Sequence, residues 1–147
     1  MLKTILVPID GSDCSRRAID YASDIGSRFD AKIVLVHAIN YPFGRLSVEL
    51  HQYAVSEHLD GPGEVEAVVE KMLETAEVRA TSAGVNEIAH DSRMGDPASV
   101  ILEAATSCDA DCIVMGSRGL GELKGLLVGS VSHKVLQHAE VPVTIVR

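Results

Sequence analysis

Apolar residues follow two alternating patterns along the chain. Nearly continuous apolar runs, which are typical of strands buried on both faces, occupy residues 4–9, 32–39, 111–116 and 142–147. The run at 85–93 mixes apolar and polar residues, which predicts an edge strand with one side towards water. Between the runs, apolar residues three and four positions apart predict helices over about 13–29, 62–82, 97–108 and 130–137. The first of these helices should bury Ala18, Ala22, Ile25 and Phe29.

The alternation of strands and helices predicts one α/β domain over residues 1–147. Right-handed crossovers then give a parallel sheet, so we expect a single open, doubly wound, Rossmann-like sheet of five strands with helices on both faces. Residues 40–63 interrupt the alternation, although the apolar residues between Leu46 and His58 could form a short helix. A stretch of this length without strong structure is usually a functional lid or a mobile insert.

Charge and composition exclude several classes of protein. The chain carries 13 lysines and arginines against 21 aspartates and glutamates, a net charge of −8, which disfavours a general nucleic-acid-binding surface. No apolar run approaches the roughly 18 residues that indicate a membrane span. The apolar N-terminal stretch is too short for a signal peptide, so we expect a cytoplasmic protein without a membrane partner. Cys14, Cys108 and Cys112 fit reduced thiols better than a disulfide framework.

The sharpest chemical feature is a glycine-rich loop between a predicted strand and a predicted helix. Five of the 12 glycines lie between Gly116 and Ser130. Glycines let backbone N–H groups approach an anion, and a helix N-terminus adds further donors. The hydroxyls of Ser130 and Ser132 and the charges of Arg118 and Lys124 could complete a phosphate-binding site. A flexible surface loop, with Ser130 as an ordinary helix cap, is the alternative interpretation. The fingerprints of P-loop NTPases and of dinucleotide oxidoreductases are both absent from the sequence.

The pattern Gly116-x2-Gly119-x9-Gly129-Ser130 resembles the G-x2-G-x9-G-[ST] motif of the ATP-binding branch of the universal stress protein family. Other segments resemble the family as well, and only residues 40–63 fall outside the resemblance. These segments are Ile5–Ser12, His37–Asn40, Gly95–Ala98, Ile113–Gly119 and Val141–Val146. The resemblance implies the strand order 3-2-1-4-5 and a homodimer.

The resemblance also implies a nucleotide site. Asp10 would lie on the nucleoside side, and Ala38 would meet the adenine ring through its backbone. Met115, Gly116 and Gly119 would line the ribose and the first phosphates. Mg2+ or Mn2+ would bridge the phosphates of ATP or another adenine nucleotide. No catalytic or metal-ligating residue is predicted. The complete set of predicted cofactor-binding residues is Pro8, Asp10, Ala38, Met115, Gly116, Ser117, Arg118, Gly119, Gly129, Ser130, Val131 and Ser132.

Three functional hypotheses follow from these observations, and the least supported is an enzyme of a related nucleotide-binding α/β group, since no acid/base or nucleophile constellation emerges. The first is an ATP-binding universal stress protein that acts as a nucleotide-dependent stress-response or signalling module and is not an enzyme, with slow ATP hydrolysis left open. The alternative is a nucleotide-free homodimeric module that works through partner contacts. In either case the last strand should be an exposed apolar edge, so we expect two chains to pair through Val141–Val146.

Other polar residues have simpler interpretations. Asp10 could form an Asx turn or cap a helix whether or not it binds a ligand. We expect His37 to be a packed histidine rather than an acid or base, because no nucleophile lies beside it in the sequence. His51 and His58 read as part of a solvated lid, and Cys108 and Cys112 are a weak metal signal. The glutamates at 64, 66, 70, 74 and 77 read as the solvated face of a helix.

Overall fold

The computed structural model describes residues 1–41, 45–59, 61–120 and 128–147. The strands are β1 (Thr4–Pro8), β2 (Lys32–Ile39), β3 (Ile88–Met94), β4 (Cys112–Gly116) and β5 (Val143–Val146). The helices are α1 (Asp13–Phe29), α2 (Val48–Ser56), α3 (Glu64–Ser82), α4 (Pro97–Ser107) and α5 (Ser130–His138). None of these helices combines the length and the apolar composition that crossing a membrane requires.

The five strands form one parallel sheet in the order β3-β2-β1-β4-β5. This confirms the predicted α/β fold and the strand order that the resemblance implied. The order reverses between β1 and β4, because successive strands are added on one side of β1 and then on the other. Strands β3 and β5 lie at the two edges, as the sequence predicted.

Alternate residues of the central strands pack against helices on opposite faces of the sheet. Ile5 and Val7 join a core formed with α1, α2 and α3, whereas Leu6 joins a core formed with α4 and α5. Burial on both faces explains why β1, β2 and β4 read as continuous apolar runs.

The helix starts follow from capping chemistry. The hydroxyl of Ser12 accepts a hydrogen bond from the Ser15 N–H (3.1 Å) and begins α1, and the Asp96 carboxylate accepts one from the Ser99 N–H (3.2 Å) and begins α4. Pro97 occupies the first helical position, where its missing N–H costs nothing.

Two details differ from the sequence prediction. Phe29 is 61% exposed, because it is the last residue of α1 and the chain turns at once through a left-handed Asp30 (φ 51°). Strand β3 begins at Ile88 and not at residue 85; Val85 is buried in the core but lies in the connection before the strand.

In the described part of the insert, residues 48–56 form the short helix α2, with Leu50 and Ala54 buried.

Candidate functional site

A cleft of about 430 Å3 opens at the carboxyl ends of β1, β2 and β4. It lies at the reversal of strand order, where open parallel sheets bind ligands. The first turn of α5 and the loop after β4 form one wall, and Ser47 and Leu50, from the start of α2, form part of another. Its volume is within the range of small-molecule sites, which is about 300–1,000 Å3.

The turn after β1 is held by hydrogen bonds of Asp10 and Ser12. One carboxylate oxygen of Asp10 accepts a hydrogen bond from the Ser12 N–H (2.9 Å), which is an Asx turn. The Ser12 hydroxyl, besides capping α1, lies 3.4 Å from the carbonyl oxygen of Arg118. Asp10 therefore has the structural role that the sequence allowed, and its side chain also lines the cleft.

Two glycines lie where a side chain would collide with neighbouring atoms: Gly116, the last residue of β4, faces the first turn of α1, and Gly119, three residues later, faces the β1–α1 turn. A Cβ on Gly116 would lie 2.8 Å from the Cys14 carbonyl carbon and 2.9 Å from the Ser15 backbone nitrogen. A Cβ on Gly119 would lie 2.6 Å from the second carboxylate oxygen of Asp10. Glycine at these positions lets the end of β4 and the loop after it approach the start of α1 closely.

The start of α5 is tied to the end of β4. Gly129, the N-cap of α5, donates its N–H to the Ser117 carbonyl (2.6 Å), and the Ser132 hydroxyl donates to the Gly116 carbonyl (2.9 Å). The proton of the Ser132 hydroxyl is thus used inside the protein, contrary to the expectation that it would donate to a ligand. The first N–H groups of a helix have no intrahelical partner, and two residues of this first turn, Val131 and Ser132, line the cleft.

His37, which is buried, and Tyr41, which is half-buried, form a hydrogen-bond chain in the lining of the cleft. His37 Nδ1 donates to the Ile9 carbonyl (2.7 Å), so Nε2 accepts from the Tyr41 hydroxyl (2.6 Å). Burial lowers the pKa of His37. Burial, with a contribution from the negative charge of Asp10, raises the pKa of Tyr41 to about 12. Both side chains are therefore neutral near pH 7, and His37 is the packed histidine that the sequence predicted.

The structure brings most of the predicted site residues together. Ten of the twelve line the cleft, and Ser117 and Gly129 lie behind its wall, where they hold the loop. Lys124 lies outside the described residues. Sequence reasoning missed Tyr41, Leu50, Pro97 and Ile101, which also line the cleft. A Tyr four residues after a strand-end His was the available signal for the first of these.

The histidine pair and the cysteine pair that gave a weak metal signal in the sequence gain no further ligands among the described residues. Within residues 1–41, 45–59, 61–120 and 128–147, no three His, Cys, Asp or Glu side chains are grouped as metal ligands would be. Cys108 and Cys112 are free thiols, and burial raises the pKa of both. His51 lies on α2 against Glu64, 2.5 Å from its carboxylate.

Comparisons of sequence and of structure match this chain to known proteins along almost its whole length. A sequence model of the universal stress protein family matches residues 1–147. A universal stress protein of Thermus aquaticus is 35% identical over 150 residues, and YxiE, a universal stress protein of Bacillus subtilis, is 36% identical over 149 residues; each alignment covers 100% of both chains. The crystal structure of a universal stress protein in complex with cAMP is 30% identical, with a TM-score of 0.73, and the match covers 99% of this chain and 97% of that one. The chain therefore belongs to the universal stress protein family.

Proposed function

We propose that this protein binds an adenine nucleotide, with ATP as the main ligand, and acts as a nucleotide-dependent stress-response or signalling module. The observation that carries the proposal is the cleft itself, which joins the exposed end of β2 to the N-terminus of α5 at the reversal of strand order. A relative of 30% identity has been crystallised with cAMP, which supports the same class of ligand.

The end of β2 supports recognition of the adenine base. The Ile9 N–H donates to the Val36 carbonyl (2.8 Å), so the peptide groups of even-numbered residues of β2 face β1. Strand β1 ends at Pro8, and the Ile9 carbonyl is used by His37. The N–H and C=O of Ala38 therefore project past β1, and the described residues give them no partner. The Ala38 N–H can donate to N1 of adenine, and the Ala38 C=O can accept from the N6 amino group. Ile101 and Met115, which also line the cleft, supply apolar surface for the base.

The start of α5 supports binding of the phosphates. The helix dipole and the first N–H groups favour an anion there. Gly129 is in extended backbone (φ −78°, ψ 172°) and brings no side chain over the helix end. Arg118 also lines the cleft and adds a positive charge.

The residues present fit a divalent cation carried by the nucleotide. Mg2+ and Mn2+ take oxygen ligands and commonly bind through one carboxylate together with phosphate oxygens. Among the described residues of the cleft, Asp10 is the carboxylate that could contribute. The bound ion would neutralise phosphate charge, while the protein groups orient the nucleotide.

We propose a binding role rather than a catalytic one. Both ring nitrogens of His37 are engaged in hydrogen bonds, and the proton of the Ser132 hydroxyl is donated to a backbone carbonyl. Neither side chain is therefore poised as a base or a nucleophile. ATP turnover by the purified chain above the rate of a buffer control would contradict this part of the proposal.

The test of the site is the substitution Gly129→Val, measured by calorimetry with MgATP. Valine adopts the backbone angles of residue 129 without strain, but its branched side chain would cover the N–H groups at the start of α5. We expect affinity to fall by roughly tenfold or more, since hydrogen bonds to a charged group contribute about 1.5–3 kcal/mol each. Ala139→Val is the matched control, because it places the same valine side chain on extended backbone at the other end of α5 (φ −68°, ψ 134°).

The two variants also distinguish the proposal from the nucleotide-free alternative. If the cleft binds ATP, the control keeps the affinity of the unaltered chain and only Gly129→Val loses it. A folded Gly129→Val protein that binds ATP like the control contradicts the site. An unaltered chain that gives no binding heat with any adenine nucleotide supports the alternative.

A further inference from the structure

A second depression lies beside the edge of the sheet that β3 forms. We call it the β3 groove; it has a volume of about 1140 Å3 and runs between α3 and β3. Val69 and Leu73 of α3 are buried beneath it. The groove meets the nucleotide cleft at Asn40 and Tyr41, which follow β2 and line both the groove and the cleft. The proposed nucleotide site uses none of the other residues of this groove.

Strand β3 has one neighbour, β2, in the described sheet. Two hydrogen bonds at the ends of the pair fix its bonding pattern: the Ile33 N–H donates to the Glu87 carbonyl (2.9 Å), and the Gly95 N–H donates to the Ile39 carbonyl (3.2 Å). Hydrogen bonding alternates along a parallel pair. The peptide groups of odd-numbered residues of β3 therefore face β2, and those of even-numbered residues face outward.

The outward-facing residues also line the groove. His90, Ser92 and Met94 direct their N–H and C=O groups away from the sheet, and all three are part of the groove wall. Met94 is 85% exposed. An exposed edge of this kind is a template for another strand.

The rim of the groove is uniformly acidic. Five glutamates of α3 line it, and the described lining residues include no lysine or arginine; the five are Glu64, Glu66, Glu70, Glu74 and Glu77. Glu77 contacts His90 (2.9 Å) and Glu64 contacts His51. Among the described residues, the other three form no ion pair.

The acidic row matches the spacing of an added strand. With a rise of about 1.5 Å per residue, Glu66 and Glu77 lie about 16 Å apart along α3. Side chains on one face of a strand recur about every 6.7 Å, so three of them span about 13 Å. Three basic side chains of an added strand would therefore fit within the row.

We propose that the β3 groove binds an extended, basic polypeptide segment of a partner protein, which adds a sixth strand beside β3. The outward N–H and C=O groups of β3 would supply the backbone hydrogen bonds. The glutamates would select lysine or arginine at every second position, and Met94 would contact the aliphatic stems of those side chains. Charge complementarity favours this occupant over a second copy of the chain, whose net charge is −8.

Capped peptides test the proposal directly. The probe is a nine-residue peptide of alternating lysine and valine, titrated into the full chain by NMR or calorimetry. We expect saturable binding that weakens as NaCl is raised from 50 to 300 mM. The same peptide with glutamate in place of lysine should not bind, and a lysine–valine peptide N-methylated at alternate residues should lose most of its affinity.

Two pairs of protein variants separate the backbone contribution from the charge contribution. Ser92→Pro removes an outward N–H and leaves the bonds to β2, as proline at a sheet edge allows; we expect affinity to fall at least fivefold, with Ser92→Ala as the unaffected control. Glu70→Gln with Glu74→Gln should weaken binding by roughly three- to tenfold, the effect of losing two partly exposed ion pairs. Glu103→Gln with Glu140→Gln changes the net charge equally on exposed residues outside the groove and should have no effect.

Several results would overturn the proposal. Binding that is unchanged in folded Ser92→Pro would exclude strand addition, and equal loss in both double variants would leave only a general charge effect. Spermidine that displaces the peptide at equal concentration would indicate a small polycation site instead. A change in the oligomeric state of the peptide-free protein in Ser92→Pro would assign the edge to a second copy of the chain.

Discussion

A single added carbon at Gly116 should be costly, because it would press against backbone atoms of α1. In Gly116→Ala the new Cβ would lie 2.8 Å from the Cys14 carbonyl carbon, 2.8 Å from the Cys14 Cβ and 2.9 Å from the Ser15 backbone nitrogen. Two of these are backbone atoms in the first turn of α1, so no side-chain rotation relieves the contacts. Overpacking of this kind costs about 2–3 kcal/mol in the free energy of unfolding. For a chain of this length that lowers Tm by roughly 5–10 °C.

Urea unfolding of the nucleotide-free protein measures this cost, and Gly26→Ala is the matched control. The Cβ at Gly26 would make ordinary contacts of 3.5 Å with Ala31 and Ile33, and position 26 lies inside α1. Alanine in a helix interior is about 0.5–1 kcal/mol better than glycine, so the control should be more stable than the unaltered chain. A Gly116→Ala protein within 0.5 kcal/mol of the unaltered chain, a margin well below the ~2 kcal/mol expected from overpacking, would refute the packing argument.

Three further predictions concern assembly, the insert and pH. The apolar edge strand β5 should pair two chains, so sedimentation should find a dimer that Ile145→Lys converts to a monomer; a variant that stays dimeric at low micromolar concentration would exclude this interface. Limited proteolysis should cut first within residues 40–63, and ATP should slow that cut if α2 closes on the nucleotide through Leu50; first cuts elsewhere would contradict the lid interpretation. Burial lowers the pKa of His37, so as pH falls this side chain is protonated in the unfolded chain before it is protonated in the folded one. The free energy of unfolding should therefore decrease from pH 7.5 to 5.5, and it should decrease less in His37→Gln. An equal decrease in the two proteins would contradict this prediction.

Much of the fold could be predicted because local chemistry and burial agree. Strands buried on both faces give apolar runs that periodicity detects, and Asp96 followed by Pro97 specifies a helix start without reference to the rest of the chain. The start of β3 could not be predicted in this way. Val85 is buried like a strand residue, but only its tertiary neighbours show that the ladder with β2 begins later.

The grouping of the candidate site residues around one cleft could be predicted in part for a similar reason. Glycine spacing marked the loop after β4, because close backbone approach requires the missing side chain. The use of the Ser132 hydroxyl was not visible, since its acceptor lies 16 residues earlier in the chain. Leu50 and Ile101 read as ordinary core residues, and Tyr41 begins an insert that has no periodicity to interpret.

Recognition of adenine through the backbone of Ala38 can be tested by one calorimetric comparison. The purified chain, freed of co-purified nucleotide, is titrated with MgATP and with MgGTP under the same conditions. At the positions where adenine presents the N1 acceptor and the N6 donor, guanine presents the N1 donor and the O6 acceptor. Guanine would therefore leave both the N–H and the C=O of Ala38 unsatisfied, at a cost of about 1–3 kcal/mol for each group. We expect one ATP bound per chain, with GTP weaker by at least about tenfold. Equal affinity for the two nucleotides, or no binding of either, would contradict it.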